Sequence, residues 1–305
     1  MTARTKAYLS LLVTALIWGA AFPIIKPSLS FVSPFQFLYL RFLIAAPLTL
    51  PFIYFYFKRL KPSLKTIKKI VLLELFGSPF ALSILYIGLS KTSALEASLI
   101  GATSPILVTL GGILFLREKE EKLEWIGLAL SFVGTLLLIF DPLLSGKNLS
   151  QSFSFSGNLI ILLYNFIITA YYLIVKKAYR GIPKLFATSI SYSVSLVALF
   201  FFLILSNQSV SPSLLTTPSV AIAAIYMGIF GSIIALTCRI FGQDQIEASE
   251  ASLFSYLQGV FAIPFAYFLL NEVPSYIQIL AVLIISSGVF LGEYRPKRKL
   301  AKKAS

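Results

Sequence analysis

The 305-residue chain has no histidine, a single cysteine (Cys238) and twelve acidic residues against twenty-six lysines and arginines. Without histidine, zinc-protease helices, Ser-His intramembrane proteases and most metal-dependent lipid enzymes are excluded. One cysteine rules out an internal disulfide and a cysteine-based metal site, so no metal or other cofactor is expected. The only two aspartates, Asp141 and Asp244, fall at expected loop positions, and no nucleophile motif accompanies them. The chain therefore reads as something other than an enzyme. Charged residues of both signs make up only 12% of it and hydrophobic residues 57%, where soluble domains average about 25% and 45–50%. So much apolar surface has no water-facing solution. The apolar runs are about twenty residues long, where barrel strands would need about ten and would alternate. The fold class expected is an all-α integral membrane protein.

What is there divides into ten candidate transmembrane helices, near 7–26, 35–57, 70–90, 93–116, 123–141, 157–176, 185–205, 219–241, 249–270 and 275–293. The first has the basic flank of a signal peptide, with Arg4 and Lys6 before it. The repeat described next needs it as a retained span. Of the 26 lysines and arginines, 22 lie in the N-terminus, in 58–69, 117–122 and 176–184, at Arg239, and in the tail from Arg295. The alternate loops hold only Lys26, Lys91 and Lys147. The positive-inside rule then puts both termini in the cytoplasm of a multi-pass plasma-membrane protein. The same placement gives the net charge of +14 a membrane explanation, and no nucleic-acid partner is expected.

The chain is written twice. Residues 76–134 match 230–288 without a gap, at an offset of 154: Phe76, Gly77, Ser78, Ala81, Leu82, Gly88, Ala94, Glu96, Ala97, Ser98, Leu99, Leu116, Glu118 and Gly134 all recur. Earlier, "WGAAFPIIK" at 18–26 parallels "TAYYLIVKK" at 169–177. Residues 1–150 thus form a first five-helix repeat, and 151–305 a second with a basic tail. An odd number of spans per half inverts the second, giving two inverted repeats as in secondary transporters. Trp18–Gly19, the lysine closing the first span, Arg41 early in the second, Pro105 in the fourth, and Glu118 before "WIGLALSFVGTLLL" make the chain resemble the EamA-type, ten-helix branch of the drug/metabolite transporter superfamily. That family moves amino acids, other metabolites and toxic compounds. One departure stands out: where the ninth span would carry a proline there is Gly259, with Pro264 five residues on, so any bend should lie elsewhere in that helix.

Glu96 and Glu250 are the repeated acid. Ser93-Ala-Leu-Glu96 fits a capping box, and Glu250 has the same placement with Glu247 at the cap. Either acid starts a helix, favoured by the macrodipole, or binds a proton or a cationic group. Arg41, Glu74 and Arg239 lie within a few residues of the expected span ends, from which long side chains can snorkel. Arg41 is weighed between interfacial anchor and gating or pairing role. Glu74, then Glu96, would be the carrier if protons were used. At mid-depth the polar residues are uncharged: Trp18, Thr103 and Ser104 beside Pro105, Asn165, Thr169, Tyr172, Tyr226, Ser232, Tyr256 and Gln258. In proteins this one resembles, helices 1, 3, 4, 6, 8 and 9 surround a central cavity. Taken singly, each Ser, Thr or Tyr reads as interhelical packing, whereas the Asn165 and Gln258 amides bring several donors and acceptors into hydrocarbon. Such a pocket suits a small neutral or zwitterionic molecule with an apolar part, an amino acid or related compound, or an amphipathic toxic compound. The alternatives are a nucleotide-sugar or phosphate-ester antiporter of the same superfamily, a membrane-embedded enzyme, and a receptor or scaffold. Gly127, Ser131 and Gly134 in the fifth span and Gly288 and Gly292 in the tenth form small-residue faces, expected to join the halves of a monomer or the protomers of a homodimer.

Overall fold

The computed structural model describes residues 2–101, 103–116, 122–144, 152–179, 181–209, 211–246 and 248–293. They are helical nearly throughout: α1 (Ala3–Ser30, its last turn 3-10), α2 (Pro34–Leu60), α3 (Leu64–Lys91), α4 (Ala94–Gly101), α5 (Ser104–Leu116), α6 (Lys122–Leu144), α7 (Ser152–Ala178), α8 (Lys184–Leu205), α9 (Pro218–Gln245), α10 (Ala248–Leu270) and α11 (Tyr276–Glu293). No strand occurs among the described residues. Six helices (α1, α2, α3, α7, α8 and α9) are long and apolar enough to cross a membrane, and large apolar side chains such as Leu72, Phe115, Phe268 and Phe290 face outward. In water this surface would aggregate. In a bilayer it is the natural exterior, because every backbone polar group of a helix is satisfied within the helix. The protein is an all-α, multi-pass membrane protein.

Between two ends of the bundle the described residues make ten helical passes, counting α4 and α5, with the turn residue Thr103 between them, as one pass. One end carries Lys26 and the other Lys69. The Lys26 end is closely stitched. Lys26 donates from Nζ to the carbonyls of Leu89 (2.7 Å) and Ser90 (3.2 Å) at the end of α3, where a cation suits the helix dipole. Asp141, expected in a loop, is fully buried inside α6 and accepts from Ser275 Oγ (2.7 Å) and Gln278 Nε2 (2.9 Å). Those two residues form the capping box of α11, with Ser275 N donating to Gln278 Oε1 and Gln278 N to Ser275 Oγ.

The packing of the halves has a plain physical basis. α6 and α11 lie face to face through their small residues. A Cβ added at Gly288 would sit 2.5 Å from Ser131 Oγ and 2.6 Å from the Gly127 carbonyl oxygen; one at Gly134 would sit 2.6 Å from Ile285 Cγ1. The small-residue faces expected to join either halves or protomers are thus occupied within one chain. Elsewhere, α1 packs on α9 and α10, α7 on α3 and α5, and α2 on α8. Adding five passes carries the two α1 contacts into the two α7 contacts and returns the α2–α8 contact to itself.

Both α3 and α9 contain a π-helical segment, Phe76–Phe80 and Tyr226–Ile234. At the offset of 154 the first falls inside the second. In α3 the cause is legible, because Pro79 has no N–H to continue the ladder. The α9 segment has no proline, and its wide turns leave Gly231 and Ser232 facing other helices. Such segments concentrate at functional sites. The pass made by α4 and α5 is broken beside Pro105, whereas α10 runs unbroken with Pro264 inside it. The departure seen at Gly259 therefore coincides with a real difference between the two repeats.

Candidate functional site

An open cleft lies between α1, α9 and α10. It is lined by Leu11, Thr14, Ala15 and Trp18 from α1, Arg239 and Gln243 from α9, and Phe254, Ser255 and Gln258 from α10. The cleft is shallow, and its enclosed part has room for about one water molecule. The α9 segment orients its aromatic wall. Trp18 Nε1 donates to the Gly231 carbonyl (3.0 Å), and Tyr226 donates from its hydroxyl to the Ile17 carbonyl (2.7 Å). Thr14 Oγ1 donates to the Ala235 carbonyl (2.9 Å). Gly19, one residue beyond Trp18, lets α1 approach α10, since a Cβ there would sit 2.8 Å from the Gln258 carbonyl oxygen.

Arg239 is the charge in this cleft. Its guanidinium carbon lies 5.2 Å from the Trp18 ring centre and 5.9 Å from that of Tyr172, within reach of a cation–π interaction. It was expected to reach outward to water. The eighth span was expected to end at 241, but α9 runs to Gln245. That sets Arg239 six residues, about 9 Å, from the helix end, and its side chain turns inward between α1 and α7.

Arg41 also turns inward and is 8% exposed. Its Nε donates to Ser232 Oγ (3.1 Å) and its Nη1 to the Tyr86 hydroxyl (3.1 Å), with the guanidinium 5.3 Å from the Phe42 ring centre. Ser232 in turn donates to the Met227 carbonyl (2.7 Å). No described carboxylate pairs with this cation. A neutral cage of hydroxyls and an aromatic ring surrounds it instead. The contact has a mate at the same offset: Ser195 Oγ and Ser78 Oγ lie 2.8 Å apart. In one half the architecture needs only a serine where the other half has an arginine.

Glu74 lies ten residues, about 15 Å, after Leu64, where α3 starts, and its side chain turns into the bundle. It is 4% exposed, and its Oε1 accepts from the hydroxyls of Tyr171 and Tyr179, each at 2.6 Å. Burial, then the Glu74 carboxylate, pushes the Tyr179 phenol above its ordinary value. It therefore stays a donor at neutral pH.

Glu96 is 5% exposed at the start of α4, where its backbone N–H donates to Ser93 Oγ (3.1 Å) and its Oε2 accepts from the Thr92 hydroxyl (2.5 Å). Thr92 Oγ1 also lies 2.5 Å from Asn158 Oδ1, while Asn158 Nδ2 has no partner. A threonine has one proton to give, so turning the Asn158 amide over lets its Nδ2 donate to Thr92 Oγ1 while Thr92 donates to Glu96. An unexpected acid completes the cap. Glu272 accepts from the amides of Ala94 (3.0 Å) and Leu95 (2.7 Å). With Ser93 Oγ serving the Glu96 amide, the amides of the first three helical residues are all met.

Asn165, Thr103 and Thr169 form a separate cluster beside the break between α4 and α5. Asn165 Nδ2 donates to the Ile100 carbonyl (2.8 Å) and contacts Thr103 Oγ1 at 3.3 Å; Thr103 donates to the same carbonyl (2.7 Å). Asn165 Oδ1 and Thr169 Oγ1 are buried without a partner among the described residues. Ser104 opens α5 half-buried. Of the expected binding residues, then, Trp18 and Gln258 line the cleft, Tyr172 and Tyr226 brace it, and the Asn165 group lies apart. Tyr256 and Glu250 belong to α10, but their side chains lie outside the described residues, as do Glu118 and Glu247. Arg239, Gln243 and Ser255 were not anticipated as lining. The available signal was Arg239 and Gln243 one turn apart, facing the Trp18 helix.

The EamA-like transporter family model matches the chain twice, over residues 5–140 and 155–292. An uncharacterized transporter of Archaeoglobus fulgidus is 26% identical over 288 residues, covering 94% of this chain and 97% of that protein. The uncharacterized transporter YdfC of Bacillus subtilis is 29% identical over 276 residues, covering 90% and 86%. A crystal structure matches with a TM-score of 0.64 over 98% of both chains at 18% identity, which establishes a shared fold. The chain belongs to the EamA-like transporter family, within the drug/metabolite transporter superfamily.

Proposed function

We propose that the protein is a secondary transporter that moves a small neutral or zwitterionic metabolite across the plasma membrane by alternating access, as an exporter or facilitator. All ten passes cross the bilayer in this reading, both termini are cytoplasmic, and the two five-pass halves are inverted repeats. The doubled family match, the contacts that recur on adding five passes, and the paired π-helical segments support the repeat. An odd number of passes per half supports its inversion. The observation that carries the functional reading is the small cleft lined by Trp18, Arg239 and Gln258 from three helices and both halves.

The two ends of the bundle differ in a way that fits one stage of such a cycle. At the Lys26 end, Glu272 holds the start of α4, Lys26 holds the end of α3, and Gln36 donates from Nε2 to the Ser209 carbonyl (3.1 Å). The cleft lies toward the other end. With both termini cytoplasmic, as proposed, this difference supports an inward-facing state, closed outside. No described carboxylate lines the cleft, and Glu74 and Glu96 are each engaged by hydroxyl donors away from it. Transport therefore runs as facilitated diffusion or exchange, not as obligatory proton coupling. Alanine at Trp18 and at Gln258 is the test: each variant should lose most counterflow in proteoliposomes while keeping its folded yield. Normal transport by both would place the substrate elsewhere.

A further inference from the structure

Most buried or half-buried charges in this bundle have an evident structural partner; Arg239 has a setting but no partner. Its guanidinium is held by the faces of Trp18 and Tyr172, and no described residue supplies it with a carboxylate or a hydrogen-bond acceptor. Aromatic faces engage the plane of a guanidinium and leave its edge, with its fork of N–H donors, unspent. That edge borders a cleft whose other polar groups, the Gln243 and Gln258 amides and the Thr14 and Ser255 hydroxyls, are uncharged. The fold itself does not require a cation there, since the matching position in the first repeat, 154 residues earlier, is Leu85, which is buried as an ordinary core residue.

We propose that Arg239 recognises a carboxylate, and that the ligand of this cleft is a small monocarboxylate, with or without an amino group, whose apolar part lies along Leu11, Ala15 and Phe254. A planar fork matches a planar carboxylate with two parallel hydrogen bonds. One guanidinium and no lysine in the cleft balance a single negative charge and leave a dianionic phosphate ester under-neutralised. The inference rests on the reading of the cleft as the substrate site and names the chemistry of its substrate.

The test uses the full-length protein in nanodiscs with Trp125→Phe, which replaces an exposed side chain and leaves Trp18 as the only tryptophan. Phenylacetate, phenylacetamide and phenyl phosphate are titrated while Trp18 fluorescence is read. Phenylacetate should give a saturable change, with the amide at least about tenfold weaker, the scale of a hydrogen bond to a charged group. Arg239→Gln should remove the preference, and Arg239→Lys should weaken binding while retaining it, because an ammonium keeps the charge but loses the fork. Equal binding of acid and amide by the parent protein overturns the proposal whether or not the variants fold. Full phenylacetate binding by Arg239→Gln overturns it too, and tighter binding of phenyl phosphate moves the ligand to the phosphate-ester class. Flux separates this inference from the one beneath it. Carboxylate binding without counterflow would leave Arg239 its role and defeat the transporter reading. Counterflow of a neutral metabolite untouched by Arg239→Gln would do the reverse.

Discussion

Removing the Glu272 carboxylate should loosen the Lys26 end of the bundle selectively. Asn271, in the left-handed region at φ 55, ends α10 with its N–H on the Tyr267 carbonyl (3.0 Å), and Glu272 N reaches the Ala266 carbonyl (3.1 Å). This helix-terminating turn aims Glu272 across the half-boundary at the amides of Ala94 and Leu95. Two hydrogen bonds to a charged acceptor contribute about 1.5–3 kcal/mol each when well sequestered. Glu272 is only half-buried, and the freed amides would find water, so Glu272→Ala should cost about 2–3 kcal/mol in all. If outward opening breaks this clamp, the same energy shifts the conformational equilibrium by roughly 30- to 150-fold toward the open form. Ser28, fully buried two residues beyond Lys26, is the reporter position. In a Ser28→Cys, Cys238→Ser chain, Glu272→Ala should raise the rate of modification by an impermeant maleimide at least tenfold. Glu272→Gln, which keeps one acceptor, should fall between. An unchanged rate in the alanine variant would refute the clamp.

Gly288→Leu should sharply reduce the yield of folded protein, because its first side-chain atom alone would stand 2.6 Å from the Gly127 carbonyl, and overpacking of one methylene already costs about 1–3 kcal/mol; size-exclusion yield and thermal unfolding in detergent would show it. Glu74→Gln should preserve counterflow, and an imposed pH gradient should drive no accumulation in either protein; gradient-driven accumulation abolished by this substitution would convert the mechanism to proton antiport. Cysteine at position 207 in a Cys238→Ser background should react with impermeant reagents only from outside the cell, and cysteine at position 61 only from inside.

Much of the fold was legible because a bilayer imposes its demands at low resolution. Twenty-residue apolar runs, the gapless offset of 154 and the small faces around Gly134 and Gly288 are features of pattern, and the helices follow them. The site was less legible because it depends on where a side chain turns. Arg41, Glu74 and Arg239 all lie near enough to span ends to reach water. They turn inward because the bundle offers them Ser232, the Tyr171 and Tyr179 hydroxyls, and the Trp18 ring, each from a distant pass. Asn165 was singled out for its amide, and it serves the Ile100 carbonyl beside a broken helix. Glu272 was seen only as the repeat of Glu118, because nothing in its local sequence names the helix it caps. Long-range partners of this kind are invisible to periodicity.

The claim beneath the rest is that this chain carries a small metabolite through its own interior. The direct measurement is counterflow into proteoliposomes preloaded with an unlabelled metabolite mixture, using labelled amino acids and small monocarboxylates outside. The account predicts saturable uptake of at least one labelled compound, transiently above equilibrium, absent from empty liposomes and lost in Trp18→Ala. Uptake no greater than that of empty liposomes across the panel, from protein shown to be folded and inserted, would contradict it.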